Sequence, residues 1–224
     1  LSRIKWMDKN LEFQQVVELF NTACNAYPNS LVYILNTHEF GTWIGASPEV
    51  LIEIDGNLMK TVSLAGTLFS ENENWTDKER QEQSITARHI SESFQQMGLN
   101  EDLSEVGEVV NGPIRHLVQI HQTDISNINV NELMMKLHPT PAVAGYPVKK
   151  AIEFIANTEL HPRELYTGFI GDSKEVYVNL RCARIFSDGI KLFAGCGINA
   201  KSNADREWEE TELKMRVISD LIGI

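Results

Sequence analysis

Between residues 31 and 64 the chain repeats one pattern four times, a short apolar run followed by a break. LVYIL at 31–35, TWIG at 42–45, VLIEI at 50–54 and LMKTVSL at 58–64 read as strands. Asp55-Gly56-Asn57, between the last two, is a hairpin signal, because the turn needs residues that tolerate positive φ. A hairpin makes its two strands antiparallel. EVYVNLRCARIF at 175–186 and IKLFAGCGI at 190–198 read as strands around Ser187-Asp188-Gly189, and 105–123 reads as extended.

Helical spacing of apolar residues marks 11–27, where Pro28 ends the run, and a more polar helix covers about 77–97 with one apolar stripe. Two more helices, 131–137 and 148–156, are separated by Pro139, Pro141, Gly145 and Pro147, and a last one runs over about 205–221. Strands in groups with helices after each group predict an α+β fold with largely antiparallel sheets. Strict βαβ alternation is missing, as is any G-x-G-x-x-G or Walker pattern, so a nucleotide cofactor is not supported.

Composition narrows the function further. The 224 residues are 42% hydrophobic and 23% charged, an ordinary globular balance for one large domain over 1–224. A net charge of −11 argues against a nucleic-acid partner, which needs a surplus of Lys and Arg on some face. It still permits an anionic small substrate, since a few basic groups in a pocket suffice, and it leaves carboxylates for a hard divalent cation. No apolar run approaches the roughly 20 residues of a membrane-spanning helix, and no secretory pattern opens the chain. Cys24, Cys182 and Cys196 are odd in number and widely spaced, which indicates neither a disulfide framework nor a zinc knuckle. The expectation is a reduced cytoplasmic protein without a membrane partner, with a monomer as its simplest state. Leu1 is not a start methionine, so an N-terminal portion of a longer protein is expected to be absent.

Several constellations could carry chemistry, each with a plainer alternative. Glu207 and Glu210 share a helical face that Lys214 extends; they are either ligands or a surface ion pair of small energetic weight. Glu79 and Glu82 repeat the spacing, and two such pairs could form an oxygen-rich cage for Mg²⁺. Leu64-Ala65-Gly66-Thr67, Tyr166-Thr167-Gly168 and Ala194-Gly195-Cys196-Gly197 are anion-binding loops or else tight turns and bulges. With strand alternation, Asn179, Arg181 and Ala183 share one face, where Arg181 either grips a carboxylate or faces solvent. His138, in Leu137-His138-Pro139-Thr140-Pro141, suits hydrogen bonding to a ligand or simply ends a helix. Glu49 is a desolvated general acid or a first-turn helix glutamate.

Eight segments taken in order resemble the signature blocks of the chorismate-utilising enzymes. They are GASPE at 45–49, SLAGT at 63–67, DKERQE at 77–82, LHPTPAVAGYP at 137–147, RELYTGFIG at 163–171, NLRCARI at 179–185, FAGCGI at 193–198 and EWEETELK at 207–214. The family includes isochorismate synthases, salicylate synthases and the large subunits of anthranilate and aminodeoxychorismate synthases. The resemblance implies a large α+β domain with two stacked antiparallel sheets between helices. By position it implies that Glu49 protonates the departing C4 hydroxyl and that Glu82 and Glu210 are the principal Mg²⁺ ligands, with Glu79 and Glu207 beside them. It further implies that Arg181 and the backbone near Gly197 hold the enolpyruvyl carboxylate. Lys214, with Ala65, Gly66 and Thr67, then surrounds the ring carboxylate and the metal, and His138 lies beside the ring.

The HPTPA form of the proline loop favours isochorismate synthase, with salicylate synthase as the nearest rival and a chorismate-binding fragment without turnover as the other. In relatives that add water the base is a lysine, expected three residues before Leu1; the isolated chain is then expected to show little or no turnover. Gln83 stands where many members have His. Either menaquinone or siderophore biosynthesis could use the product.

Overall fold

The computed structural model describes residues 1–68, 73–111 and 114–223. In chain order the elements begin with β1 (Ser2–Met7), α1 (Phe13–Ala26), β2 (Leu31–Thr37), β3 (Gly41–Ser47), β4 (Val50–Asp55) and β5 (Leu58–Leu68). There follow α2 (Asp77–Gln96), β6 (Asp102–Leu103), β7 (Gly107–Asn111), β8 (Ile114–Asp124), α3 (Val130–Leu137), α4 (Pro141–Ala144) and α5 (Val148–Thr158). The chain closes with β9 (Phe169–Gly171), β10 (Glu175–Val178), β11 (Cys182–Ile185), β12 (Ile190–Gly195), α6 (Ala204–Ser219) and a 3₁₀ turn at Asp220–Ile222. This is the α+β class, with two antiparallel sheets, that the strand grouping predicts. Gly112 and Pro113, inside the stretch expected to be extended, lie outside the described residues.

Contacts divide the chain into two compact units, each built on one sheet. The first comprises Leu1–Pro48, Thr158–Gly168 and Asn179 onward. Its sheet has the order β1-β12-β11-β3-β2, antiparallel throughout. Period-two alternation sends Ile44, Ala46, Ala183, Leu192 and Ala194 into a core with Leu19 of α1 and Met215, Val217 and Ile218 of α6. Trp43 and Phe193, from the alternate positions, stack at 5.2 Å between ring centroids, and Tyr166 stacks on Phe193 at 5.7 Å.

The second unit comprises Glu49–Asn157 and Phe169–Val178. Its sheet runs β6-β8-β5-β4-β10-β9, with β7 also on β8. The Asp55-Gly56-Asn57 signal holds: Asp55 pairs with Leu58 and Gly56 has φ +58°. Helix α2 starts with a capping box in which Thr76 and Glu79 satisfy each other's end of the first turn. Its buried stripe is Glu79, Gln83, Thr86, Ile90, Ser93 and Phe94. One stripe was expected; that its first two turns are polar was not.

One expected strand is corrected. Residues 175–186 do not form a single strand: β10 belongs to the second unit's sheet and β11 to the first's. The break falls at Asn179-Leu180-Arg181, where Arg181 has φ +47°. Side-chain bonds join backbone ones there, where Asn179 N–H donates to the Gly168 carbonyl at 2.8 Å. Leu180 N–H donates to Ser47 Oγ at 2.7 Å, Tyr33 Oη donates to Asn179 Oδ1 at 2.6 Å, and Asn179 Nδ2 donates to the Leu165 carbonyl at 2.8 Å. Strand alternation therefore does not apply to Arg181, which is buried rather than solvent-facing.

Phe193 is almost fully buried between two other rings. Phe193→Ala should cost about 3–5 kcal/mol by leaving a cavity. Urea denaturation checks this, and a loss below about 1 kcal/mol would mean the rings collapse to fill the space.

Candidate active site

In the second unit, SLAGT is not a loop but part of strand β5, whose pairing with β8 shifts register between Ala65 and Thr67. Gly66 forms the bulge, with φ +75°. A Cβ there would lie 2.9 Å from both the Cβ and the carbonyl oxygen of Glu79, so only glycine lets strand β5 meet the first turn of α2 this closely. The bulge thus places Ala65, Gly66 and Thr67 beside Glu79. His116, across the ladder on β8, is buried, with Nδ1 3.0 Å from the Gly66 carbonyl and 3.4 Å from Thr67 Oγ1.

Glu79 accepts a hydrogen bond from Thr76 N–H at 3.0 Å. Burial would raise its pKa, but the bonds from Thr76 prevail and hold the carboxyl below the ordinary range. Glu82 follows one turn later, with Lys78 Nζ 3.9 Å away.

Glu49 is buried between β3 and β4, with its carbonyl accepting from Val178 N–H at 2.9 Å. No helix begins there, which removes the helix-glutamate alternative. His138 caps α3 through its backbone N–H, 2.9 Å from the Met134 carbonyl, and its ring stands edge-on to Phe169 at 5.2 Å. Thr140 Oγ1 is buried and, among the described residues, has no hydrogen-bond partner.

In the first unit, Arg181 is held by the backbone: its carbonyl accepts from Ala46 N–H at 3.0 Å. The segment bonded to it also ties down the Tyr166-Thr167-Gly168 turn, since Thr167 N–H donates to the Asn179 carbonyl at 2.9 Å. Burial pushes the Tyr166 phenol above its ordinary range, Cys182 adds to the rise, and the Arg163 and Arg181 guanidiniums oppose it. Tyr166 is therefore a protonated donor near Arg181 at neutral pH. A Cβ on Gly195 would stand 3.0 Å from Tyr166 Oη, so the phenol reaches the end of β12.

The face of α6 completes this half. Asn203 caps the helix by accepting from Arg206 N–H at 3.1 Å. Lys214 Nζ donates to Glu210 Oε1 at 2.6 Å and to the Gly195 carbonyl at 2.9 Å. The surface-pair alternative fails, because the side chains of Lys214 and Glu210 are only 16% and 10% exposed. Burial, then Glu210, pushes the Cys196 thiol up to about 11, Lys214 pulls it down and Glu207 adds to the rise. Glu207, Glu210 and Lys214 therefore gather around the Gly195-Cys196 backbone, while Gly197 just beyond is exposed.

Among the described residues, the Asp, Glu, Lys and Arg buried as whole residues are Glu49 at 4% exposure, Glu79 at 8%, Arg181 at 8%, Glu207 at 4% and Glu210 at 8%, while the side chain of Glu159, outside the proposed set, is buried against Arg163. Each of the five buried as whole residues belongs to the set proposed from sequence. Within the second unit, the carboxylates of Glu79 and Glu82 on α2, with Glu79 kept ionised, are oxygen donors of the kind a hard cation such as Mg²⁺ takes; within the first, Glu207 and Glu210 on α6 are the same. Among the described residues, no three His, Cys, Asp or Glu side chains stand together as a preformed metal cluster. Sequence reasoning missed His116, Tyr166 and Cys196 as neighbours of these groups. The β5–β8 register that places His116 has no local signal, whereas Tyr166 and Cys196 lie inside quoted blocks. Gly66→Ala should destabilise by at least about 1–3 kcal/mol, through the forbidden φ and the clash with Glu79. Urea denaturation measures it, and an unchanged midpoint would show that strand and helix separate freely.

A family model described as chorismate binding enzyme matches residues 6–223. Isochorismate synthase EntC of Escherichia coli strain K12 is 30% identical over 202 residues, covering 82% of this chain and 52% of that protein. Isochorismate synthase MenF of Bacillus subtilis strain 168 is 30% identical over 229 residues, covering 93% of this chain and 48% of that protein. The chain thus spans about half the length of these relatives. The solved structure of MenF, the menaquinone-specific isochorismate synthase from Escherichia coli, shares the fold with a TM-score of 0.88, covering 99% of this chain and 55% of that one at 24% identity. The chain belongs to the chorismate-binding enzyme family.

Proposed function

We propose that this chain carries the substrate- and metal-binding part of an isochorismate synthase, which converts chorismate to isochorismate with Mg²⁺. One observation supports the reading above the others. Among the described residues, the five Asp, Glu, Lys or Arg residues that are buried as whole residues stand at positions to which the resemblance assigns acid, metal or carboxylate roles. A charged side chain is almost never buried unless it is paired or has chemistry to perform.

The reaction needs a proton delivered to C4, because hydroxide is a poor leaving group. Glu49, buried at the start of the second unit, is the acid in this reading. Arg181 holds the enolpyruvyl carboxylate in a bidentate grip, and the protonated Tyr166 phenol nearby can donate to the same anion. Ala65, Gly66 and Thr67 present backbone and hydroxyl donors to the ring carboxylate, and Lys214 adds a positive charge. His138 lies beside the ring. Glu82 and Glu210 would hold Mg²⁺, with Glu79 and Glu207 as supporting carboxylates. When bound, the ion polarises the ring carboxylate and stabilises charge as the double bonds shift. Water adds at C2 while the C4–O bond breaks; one proton goes to a base and another comes from Glu49, so the balance closes. The resemblance assigns the base to a lysine, a role that none of the residues named here takes.

Incubating the full-length protein with chorismate and Mg²⁺ and separating the products tests this, and the Glu49 variant is made in the same protein. Isochorismate without salicylate is expected; salicylate or anthranilate as the main product would overturn the assignment. Glu49→Gln should lower kcat by about 10²–10⁴ while leaving KM for chorismate within a few-fold. Retained turnover would remove Glu49 from the acid role.

A further inference from the structure

Gln83 lies one residue after Glu82 and four after Glu79, and it is buried under α2. Its Nε2 donates to Ser63 Oγ at 3.2 Å and to Gln119 Oε1 at 3.4 Å. Ser63 Oγ stands 2.9 Å from His121 Nε2, and both residues are completely buried. His121 Nδ1 stands 2.5 Å from Glu101 Oε1, which also accepts from Ser91 Oγ at 3.0 Å. Ser91 and Glu101 line a surface cavity of about 470 Å³, so the bonded chain runs from that cavity to the face of α2.

Hydrogen-bond chemistry gives the chain a direction. An ionised carboxylate only accepts, so His121 Nδ1 carries the proton facing Glu101. Burial lowers the His121 pKa more than Glu101 raises it, which favours the neutral ring with Nε2 as acceptor. The Ser63 hydroxyl then donates to Nε2 and offers its lone pairs to Gln83. The Ser–His–Glu order resembles an activated nucleophile, but no substrate reaches a serine with 0% exposure. The chain must act through what it holds.

We infer that the Gln83–Ser63–His121–Glu101 chain is a positioning device for Glu79 and Glu82, fixing the rotation of α2 about its own axis. Apolar contact under a helix is non-directional, whereas these bonds are not. Side chains reach about 5–6 Å from a helix axis, so a rotation of about 20° carries a carboxylate roughly 2 Å. That is as long as a Mg–O bond, and Mg²⁺ demands near-ideal octahedral geometry. The inference rests on the metal role proposed above.

Mn²⁺ serves as the probe, with free ion counted by electron paramagnetic resonance against the whole protein. Gln83→Met and Ser63→Ala should each weaken Mn²⁺ binding by about 10–100-fold, as loss of an outer-shell partner does. The double variant should be no weaker than the worse single one, because both cut the same chain. Ser93→Ala is the control: Ser93 Oγ is on the same helix, outside the chain, donating to the His89 carbonyl at 2.8 Å. Its Mn²⁺ affinity should be unchanged, because a hydroxyl bonded within its own helix does not fix that helix against the sheet. Wild-type affinity in Gln83→Met and Ser63→Ala, additive losses in the double variant, or an equal loss in Ser93→Ala would overturn the positioning role while leaving the metal reading intact. A wild-type protein that binds no Mn²⁺ would overturn both.

Discussion

Taking charge out of water is the constraint around which this structure is arranged. Each carboxylate or guanidinium removed from solvent carries a penalty of several kcal/mol unless hydrogen bonds and opposite charge compensate. The compensation is visible locally. Thr76 serves Glu79, Lys214 serves Glu210, and backbone bonds fix the segment that carries Arg181. Other features follow from it. Helix α2 turns a polar stripe toward its sheet, and strand β5 gives up ladder regularity at Gly66 to meet that stripe.

The chain also leaves one sheet for the other where these groups lie. Glu49 follows directly on the Ser47-Pro48 exit from β3, and Arg181 ends the Asn179-Leu180-Arg181 passage between β10 and β11. Inside a sheet both backbone groups of a residue are committed to neighbouring strands. At this second crossing the Asn179 backbone bonds to the Thr167-Gly168 turn and the Arg181 carbonyl to Ala46, while Ser47 Oγ takes the Leu180 N–H. Crossings therefore combine a defined backbone with side chains freed from strand alternation.

Much of this was legible in the residues, and the exceptions have physical causes. The β4–β5 hairpin was readable because Asp55-Gly56-Asn57 satisfies a local φ requirement. The two glutamate pairs were readable because helical spacing is local as well. The break at Asn179–Arg181 was not, since VYVNLRCARIF keeps its apolar content without Gly or Pro, and the bonds that break it come from Ser47, Tyr33 and Leu165, far away in sequence. Strand β1 had no turn signal before it and was not assigned. His116 and His121 acquire their partners only through the β5–β8 register, which a single sequence does not specify.

Cys196 shows how such surroundings govern reactivity as well as binding. With its thiol pushed up to about 11, chiefly by burial, little of it is the nucleophilic thiolate at pH 7. Alkylating agents and peroxide act on that form, so a sulfur just past the end of β12, within the field of Glu210 and Glu207, is chemically quiet. Cys24 is exposed on α1, while Cys182 is fully buried. A dye or oxidant that meets the folded protein therefore reaches Cys24 first, and the surroundings of Glu207 and Glu210 tolerate mildly oxidising conditions despite containing a cysteine.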